Sequence, residues 1–427
     1  MKEKKIVVSC FALLGATLGL TACQNNSVKP LWEEAKDSES KTSLIISDLH
    51  LGIDSSFAEN VANVPYLVQF INRARVTADL DEIVLAGDVL DGWFLPFSYG
   101  VVKDYTDFYQ KAAKANQGVV DAINAIIKEG RIKVVYVPGN HDVDLTKSIV
   151  ESIFPNISQA RDSDGVGTYR TGLRNEIAIE HGHRYNVFCA PDPLTDVTLR
   201  QGKTLLGPGY FYTRLAATSL KTGHPARSFA FPDFGMPENA SEEVKSAYLL
   251  YVVWERASST IGVEGMTFES KVIPCGIAGY ADYYSLADLV PLYRNGALTN
   301  TLFMDIAKNW SDLQKRNKVN TVQEYAPAVL ESAKLEATDQ KALQDYFSVD
   351  PTVDVVVFGH THAPLLDKNI TGYPGKIYAN SGTWIDHNID DDNGLTRTFV
   401  KVVSSKTGDQ ASLYTYAEDG ALLLKAE

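Results

Sequence analysis

The run Ser43-Leu44-Ile45-Ile46-Ser47-Asp48-Leu49-His50 passes without a break from a buried-strand pattern to a carboxylate and an imidazole two residues apart. Residues at alternate positions beyond a strand end turn toward the same side as the chain leaves the sheet. The same grammar recurs downstream. Glu82-Ile83-Val84-Leu85-Ala86 leads into Gly87-Asp88-Val89-Leu90-Asp91, and Ile132 to Val137 leads into Gly139-Asn140-His141-Asp142. Asn175 to Glu180 leads into His181-Gly182-His183, and Val353 to Phe358 into Gly359-His360-Thr361-His362. Between the early strands lie helical patterns, at Pro65 to Thr77 and as one long amphipathic helix from Asp104 to Lys128. Alternating strands and helices at this spacing predict a mainly parallel sheet covered by helices. Tyr378-Ala379, Thr398 to Val403 and Ser412 to Tyr416 read as later strands.

Composition bounds what the chain can do. Its 427 residues are 45% hydrophobic and 22% charged, which excludes disorder, collagen and coiled coil as the main class. Lys+Arg 40 against Asp+Glu 53 gives a net charge of −13, and a surplus of acid repels nucleic-acid backbones, so no nucleic-acid partner is expected. Lys2, Lys4 and Lys5 precede an apolar stretch from Ile6 to Leu20, a pattern of export signals. Leu20-Thr21-Ala22-Cys23 resembles a bacterial lipobox, which implies removal of residues 1–22, a lipid on Cys23 and a membrane as partner on the extracytoplasmic side. Residues 23–41 are polar and without periodicity, and read as a flexible tether. Cys189 and Cys275 are compatible equally with a disulfide and with two buried thiols.

From about 190 to 350 the alternation stops. A loop crowded with Pro225, Phe229, Phe231, Pro232, Phe234 and Pro237 is followed by helical patterns at 241–258, 283–315 and 322–347. This predicts a mainly α-helical insertion at 190–350 dividing one core, made of 42–189 and 351–427.

Six of the eight histidines fall in the strand-end motifs, with carboxylates and an amide but no thiolates. Such donors suit Mn, Fe or Zn ions. In order and kind the five motifs resemble those of the calcineurin-like metallophosphoesterases. The resemblance implies an α/β fold, a four-layer αββα sandwich, with two divalent metal ions at the strand ends. Asp48, His50 and His362 would hold one ion; Asn140, His181 and His360 the other; Asp88 would bridge. His183 is the alternative to His181. His141 would protonate the leaving group as a metal-bridging hydroxide attacks the phosphoester substrate in line. Asp142 would assist catalysis by orienting His141 or a ligand, and Asp91 would do likewise or cap a helix.

Within the family, Ser47 to Gly52, Gly87 to Trp93 and Glu180 to Tyr185 look most like the UDP-2,3-diacylglucosamine pyrophosphatase branch. Asn186, the export signal and the large insertion depart from it, so the resemblance carries the two-metal chemistry and leaves phosphatase, phosphodiesterase and pyrophosphatase open. Trp93, with Phe94, Phe97 and Tyr99, is a candidate pocket wall or a packing element. A scaffold can outlive its chemistry, so the alternative is a catalytically inactive, surface-tethered binding lipoprotein.

Overall fold

In a computed structural model, described here for residues 28–35, 37–162, 165–195, 206–275, 283–300, 302–332, 334–388, 391 and 393–427, the first strand-and-ligand run forms β1 (Ser40–Ile46). There follow α1 (Val64–Arg75), β2 (Leu80–Ala86), α2 (Tyr105–Ala115), α3 (Gln117–Glu129), β3 (Lys133–Val137), α4 (Lys147–Ile153), β4 (Ser158–Gln159), β5 (Tyr169–Thr171) and β6 (Ile177–Ile179). The signal segment 1–22 and Cys23 lie outside the described residues.

The local reasons are ordinary. Helix α1 opens with Pro65 in its first turn, buries Leu67, Phe70, Ile71 and Ala74 on one face, and ends with Arg73 and Arg75 in its last turn, where cations suit the helix dipole. Asp104 caps α2 by accepting from the Thr106 and Asp107 amides. The single helix expected from Asp104 to Lys128 is two. The chain breaks at Asn116, whose amide donates to the carbonyls of Gly52 and Ala112. An asparagine supplied with carbonyl partners competes with helix continuation.

After the insertion come β11 (Val355–Phe358), β12 (Leu365–Asp367), β13 (Ile377–Asn380), β14 (Thr398–Ser405), β15 (Gly408–Tyr416) and β16 (Leu422–Ala426). One sheet has the order β16-β15-β14-β1-β2-β3-β4 and the other β12-β13-β11-β6-β5. The strands β1 to β4 are parallel, as are β6, β11 and β13. Alternation decides the layers. Ile45, Val84 and Val135 face Ile177, Ile179, Val355 and Val357 across the sandwich. Leu44, Ile46, Ile83 and Leu85 point the other way, onto the helices α1 to α4. Val356, Phe358 and Tyr378 cover the outer face of the second sheet with Ala342, Tyr346 and Phe347. The result is a four-layer α/β sandwich of helix, sheet, sheet and helix, as expected from the sequence.

The insertion has its own core, with Tyr210, Phe211, Trp254, Leu289, Trp310 and Val329 at its centre. The helical pattern at 241–258 appears as the helix Glu242–Ala257. That at 283–315 does not run through: among the described residues only Leu286–Leu289 and Ile306–Arg316 are helical, and between them β9 (Leu292–Arg294) and β10 (Ala297–Thr299) form a hairpin around Asn295-Gly296. A second small ladder, β7 (Ile273–Pro274) with β8 (Tyr283–Tyr284), was also unforeseen. The third pattern divides into Tyr325–Glu331, Leu335–Ala342 and a wider helical turn, Leu343–Phe347. That turn lies on the second sheet, so the insertion as bounded by sequence, 190–350, ends inside the fourth layer of the core. A helix at Pro208–Lys221, opened by its proline, was not anticipated.

The tether expected at 23–41 is docked from Lys29 onward. Arg73 donates to the carbonyls of Lys29 and Pro30, the Leu31 amide donates to Thr77, and the Lys401 ammonium lies 4.4 Å from the centre of the Trp32 ring. No helix of the described residues is long and apolar enough to cross a membrane. Cys189 and Cys275 are not joined in a disulfide.

Candidate metal centre

The parallel strands bring their carboxyl ends to one end of the sandwich, and the chain turns sharply there. Asp48, His50, Asp88, His360 and His362 all have positive φ, between 42° and 71°. Each such residue costs roughly 1–3 kcal/mol and persists only where its surroundings enforce it. The loops after β1 and β2 enforce it together: the Asp48 amide donates to the Gly87 carbonyl and the His50 amide to the Asp88 carbonyl. The motif glycines give the room. A Cβ on Gly139 would lie 2.1 Å from Asp88 Oδ1, one on Gly359 would lie 2.6 Å from Asp48 Oδ2, and one on Gly87 would lie 2.4 Å from His181 Nδ1.

Two donor groups result. Asp48 Oδ1 lies 3.3 Å from His362 Nε2 and 3.8 Å from His50 Nε2. His181 Nε2 lies 3.2 Å from Asp88 Oδ2 and 3.1 Å from Asn140 Oδ1. Asp88 Oδ2 is also 3.7 Å from His50 Nε2, and Asp48 Oδ1 is 3.9 Å from His181 Nε2, so the two groups adjoin through the two carboxylates. The His360 ring is centred 5.2 Å from that of His181. His183 stands behind, with its Nε2 3.2 Å from the Gly165 carbonyl oxygen. Of the two strand-end histidines left open by the sequence, it is therefore His181 that lies among the donors.

His181, Asp88 and Asp48 are each steered by a contact on the far side. His181 Nδ1 donates to the Ala86 carbonyl at 2.9 Å, leaving the Nε2 lone pair facing the carboxylates. Asp88 Oδ1 accepts from the His141 amide, and Asp48 Oδ2 accepts from the His360 amide and the Ser47 hydroxyl. The other Asp48 oxygen, Oδ1, is buried with no hydrogen-bond partner. A buried carboxylate oxygen left unbonded among imidazole nitrogens fits a divalent cation, and the all-oxygen-and-nitrogen donor set fits Mn, Fe or Zn.

The electrostatics agree. Burial pushes the carboxyls of Asp48, Asp88 and Asp91 up, but neighbouring imidazoles outweigh it and hold all three well below the usual range. In return, against the effect of burial, His50 is raised well above its ordinary value and His181 to about 9, chiefly by these carboxylates. Burial and the charge on His181 push His360 down to about 3. The carboxylates thus favour positive charge at the site, which a divalent cation would supply.

Asp91, not Asp142, meets His141. Asp91 Oδ2 lies 2.9 Å from His141 Nδ1 and 2.8 Å from His50 Nδ1, while its Oδ1 accepts from the Trp93 and Phe94 amides. One oxygen orients two rings and the other caps a loop turn; no helix begins at Asp91, so the helix-cap reading does not hold. Asp142, expected to orient His141 or a ligand, instead accepts from the Val89 and Gly139 amides and fixes the two loops; burial, with Asp88 nearby, pushes its carboxyl up to about 6. Trp93 is no pocket wall. It is 2% exposed and stacked on His141. Phe229 and Phe234 are likewise buried, in the insertion's own core.

Sequence reasoning missed Glu59, whose Oε2 lies 3.5 Å from His50 Nδ1 and which groups with Asp91 and His141. It sits between β1 and α1 in no recognisable motif. Asn380 ends β13 and its amide holds the Gly359 carbonyl, while Thr383 Oγ1 holds the Asp48 carbonyl.

No match is found among curated proteins. Among solved structures the chain is similar to Vps29 from Entamoeba histolytica, complexed with zinc, at 10% identity and a TM-score of 0.29 over 90% of this chain and 98% of that one. It is also similar to Vacuolar Protein Sorting 29 from Cryptosporidium parvum, at 13% identity and a TM-score of 0.28 over 91% and 97%. Residues 41–218 match the family model described as calcineurin-like phosphoesterase, a family of metal-dependent phosphoester hydrolysis, and carry the first four of the five strand-end motifs. That matched stretch runs from β1 into the helix Pro208–Lys221 and is similar to the calcineurin-like phosphoesterases.

Proposed function

We propose that the protein is a dinuclear metal-dependent hydrolase of a small-molecule or lipid phosphoester outside the cytoplasm, held at a membrane by a lipid on Cys23. The observation that carries the catalytic reading is the gathering of His50, His181 and His362 around the unbonded Asp48 Oδ1, with Asp88 and Asn140 meeting it through His181. Asp48, His50 and His362 would hold one ion and Asn140, His181 and His360 the other, with Asp88 between them. Held by these residues, divalent cations would supply neutralisation of phosphoryl oxygens and activation of water near neutral pH. The chain's own groups do the rest. Asp91 fixes the Nδ1 edge of His141, so Nε2 is the edge left to give a proton to the departing alkoxide. The location rests on the basic and apolar N-terminal run and its lipobox-like end.

The test is hydrolysis of p-nitrophenyl phosphate and bis-p-nitrophenyl phosphate by metal-loaded protein, with and without chelator. Turnover that vanishes on chelation is expected, and the ratio of the two rates separates monoesterase from diesterase. His141→Gln should keep its metals and lose roughly 10²–10⁴-fold in turnover of esters with a poor leaving group, such as phenyl phosphate, and much less on the p-nitrophenyl esters. Bound metal with no turnover on either ester, or on a pyrophosphate, would favour a binding protein on the same scaffold. Labelled palmitate incorporated by the wild type and lost in Cys23→Ser checks the anchor.

A further inference from the structure

The loop between β2 and α2 gives His141 two supports. Asp91 takes its Nδ1, and Trp93, two residues on, stacks on its face with ring centres 4.9 Å apart and planes 29° apart. The Trp93 indole N–H is buried with no hydrogen-bond partner, so the ring is not placed there for its polar edge. What backs the indole is the insertion. Tyr210 meets Trp93 edge-on at 6.0 Å, and a Cβ at Gly209 would sit 3.4 Å from the indole and 2.8 Å from the Phe188 carbonyl.

The helix that carries these residues, Pro208–Lys221, also grips the loop at three further points. The fully buried Arg214 donates to the carbonyls of Pro96 and Gly100 and to the Tyr210 hydroxyl. Thr218 Oγ1 accepts from the Phe97 amide at 2.8 Å. On the core side, the Gly92 amide donates to the His141 carbonyl at 2.8 Å. The loop is therefore held between the insertion and the residue it supports.

We infer that Trp93 is a positioning residue for His141, and that through it the insertion helix Pro208–Lys221 sets the aim of the proton donor. This rests on the proposed role of His141 as the leaving-group acid. Asp91 alone leaves the imidazole free to swing about its Nδ1 contact. The indole face, backed by Tyr210, removes that swing, so Nε2 is presented in one direction. Alignment of this kind governs proton transfer more strongly than it governs substrate binding.

The experiment compares leaving groups. The p-nitrophenyl ester departs with little help from an acid, whereas the phenyl ester needs the proton more. Both are assayed as phosphate monoesters and as methyl phosphodiesters, with metal content measured in each variant. Trp93→Leu, which fills the space without an aromatic face, should lower kcat roughly 10-fold or more on phenyl esters and under about 3-fold on p-nitrophenyl esters, with KM little changed. Trp93→Phe should restore most of the phenyl-ester rate. If Trp93→Leu does not fold, Thr218→Val, which releases the loop from the helix, should show the same selective loss in smaller degree. Equal losses on both esters, no loss on either, or identical behaviour of the Leu and Phe variants would overturn the inference. His141→Gln separates the two layers. A selective loss there without one in Trp93→Leu removes the positioning role alone; no selective loss in His141→Gln removes the acid role beneath it.

Discussion

The strand ends and the insertion bury their side chains to opposite ends. At the strand ends the chain hides three carboxylates among imidazoles and holds five ligand candidates at positive φ. In the insertion it hides tryptophans, tyrosines and phenylalanines in a cluster of its own, among ordinary helices and a hairpin. One region stores strain and charge that the sandwich must hold in place; the other stores apolar area. The difference teaches where substitutions act. Changes at the strand ends should cost chemistry with little unfolding, and changes in the insertion should cost folding with little effect on the metals. Trp93, which touches both, is where the division fails.

The largest effect should come from Asp88→Asn, which removes the charge standing between the two donor groups. Turnover should fall below detection and metal content should fall with it, read by elemental analysis, while the thermal transition of the metal-free protein stays near that of wild type. A large drop in metal-free Tm would break the comparison. Trp310→Ala should do the reverse. Truncating a buried tryptophan costs about 3–5 kcal/mol, and here the loss should appear in calorimetry as a lowered insertion transition with metal content preserved. Asp91→Asn should cost roughly 10–100-fold in metal affinity or turnover, because it weakens the orientation of His50 and His141 together without removing a ligand.

The smallest effect lies at the far edge of the sandwich. Burial and the neighbouring Glu176 push Asp409 up to about 6 from 3.8. A raised carboxyl favours the folded state in its protonated form, so its contribution is complete below 3.8 and is lost as pH rises through about 6. Arg174, half exposed, recovers little of that. Asp409→Asn should leave Tm unchanged at pH 4 and raise it by about 1–2 °C at pH 8. Equal shifts at both pH values would show that strain, not charge, governs the site.

The two halves of this comparison were not equally legible. Strand cores such as Leu44-Ile45-Ile46 and Val134-Val135-Tyr136 are short-range signals, and each ends directly in its ligands, so β1, β2, β3, β6 and β11 could be placed from pattern. The break at Asn116 depends on the carbonyl of Gly52, far off in sequence, and no local periodicity reports it. The choice between Asp91 and Asp142 as partner of His141 depends on how two loops cross, and sequence adjacency does not decide it. Glu59 lacked any motif, and the hairpin at Leu292–Arg294 and Ala297–Thr299 hid within a run that also suits a helix. Edge strands such as β4 and β5, two and three residues long, are too short to carry a pattern.

The docking of the N-terminal segment sets a length. Arg73 pins the chain at Lys29, six residues beyond Cys23. Fully extended, that leash reaches about 20 Å. If Cys23 carries the proposed lipid, that reach would keep the strand-end site within a few nanometres of the bilayer.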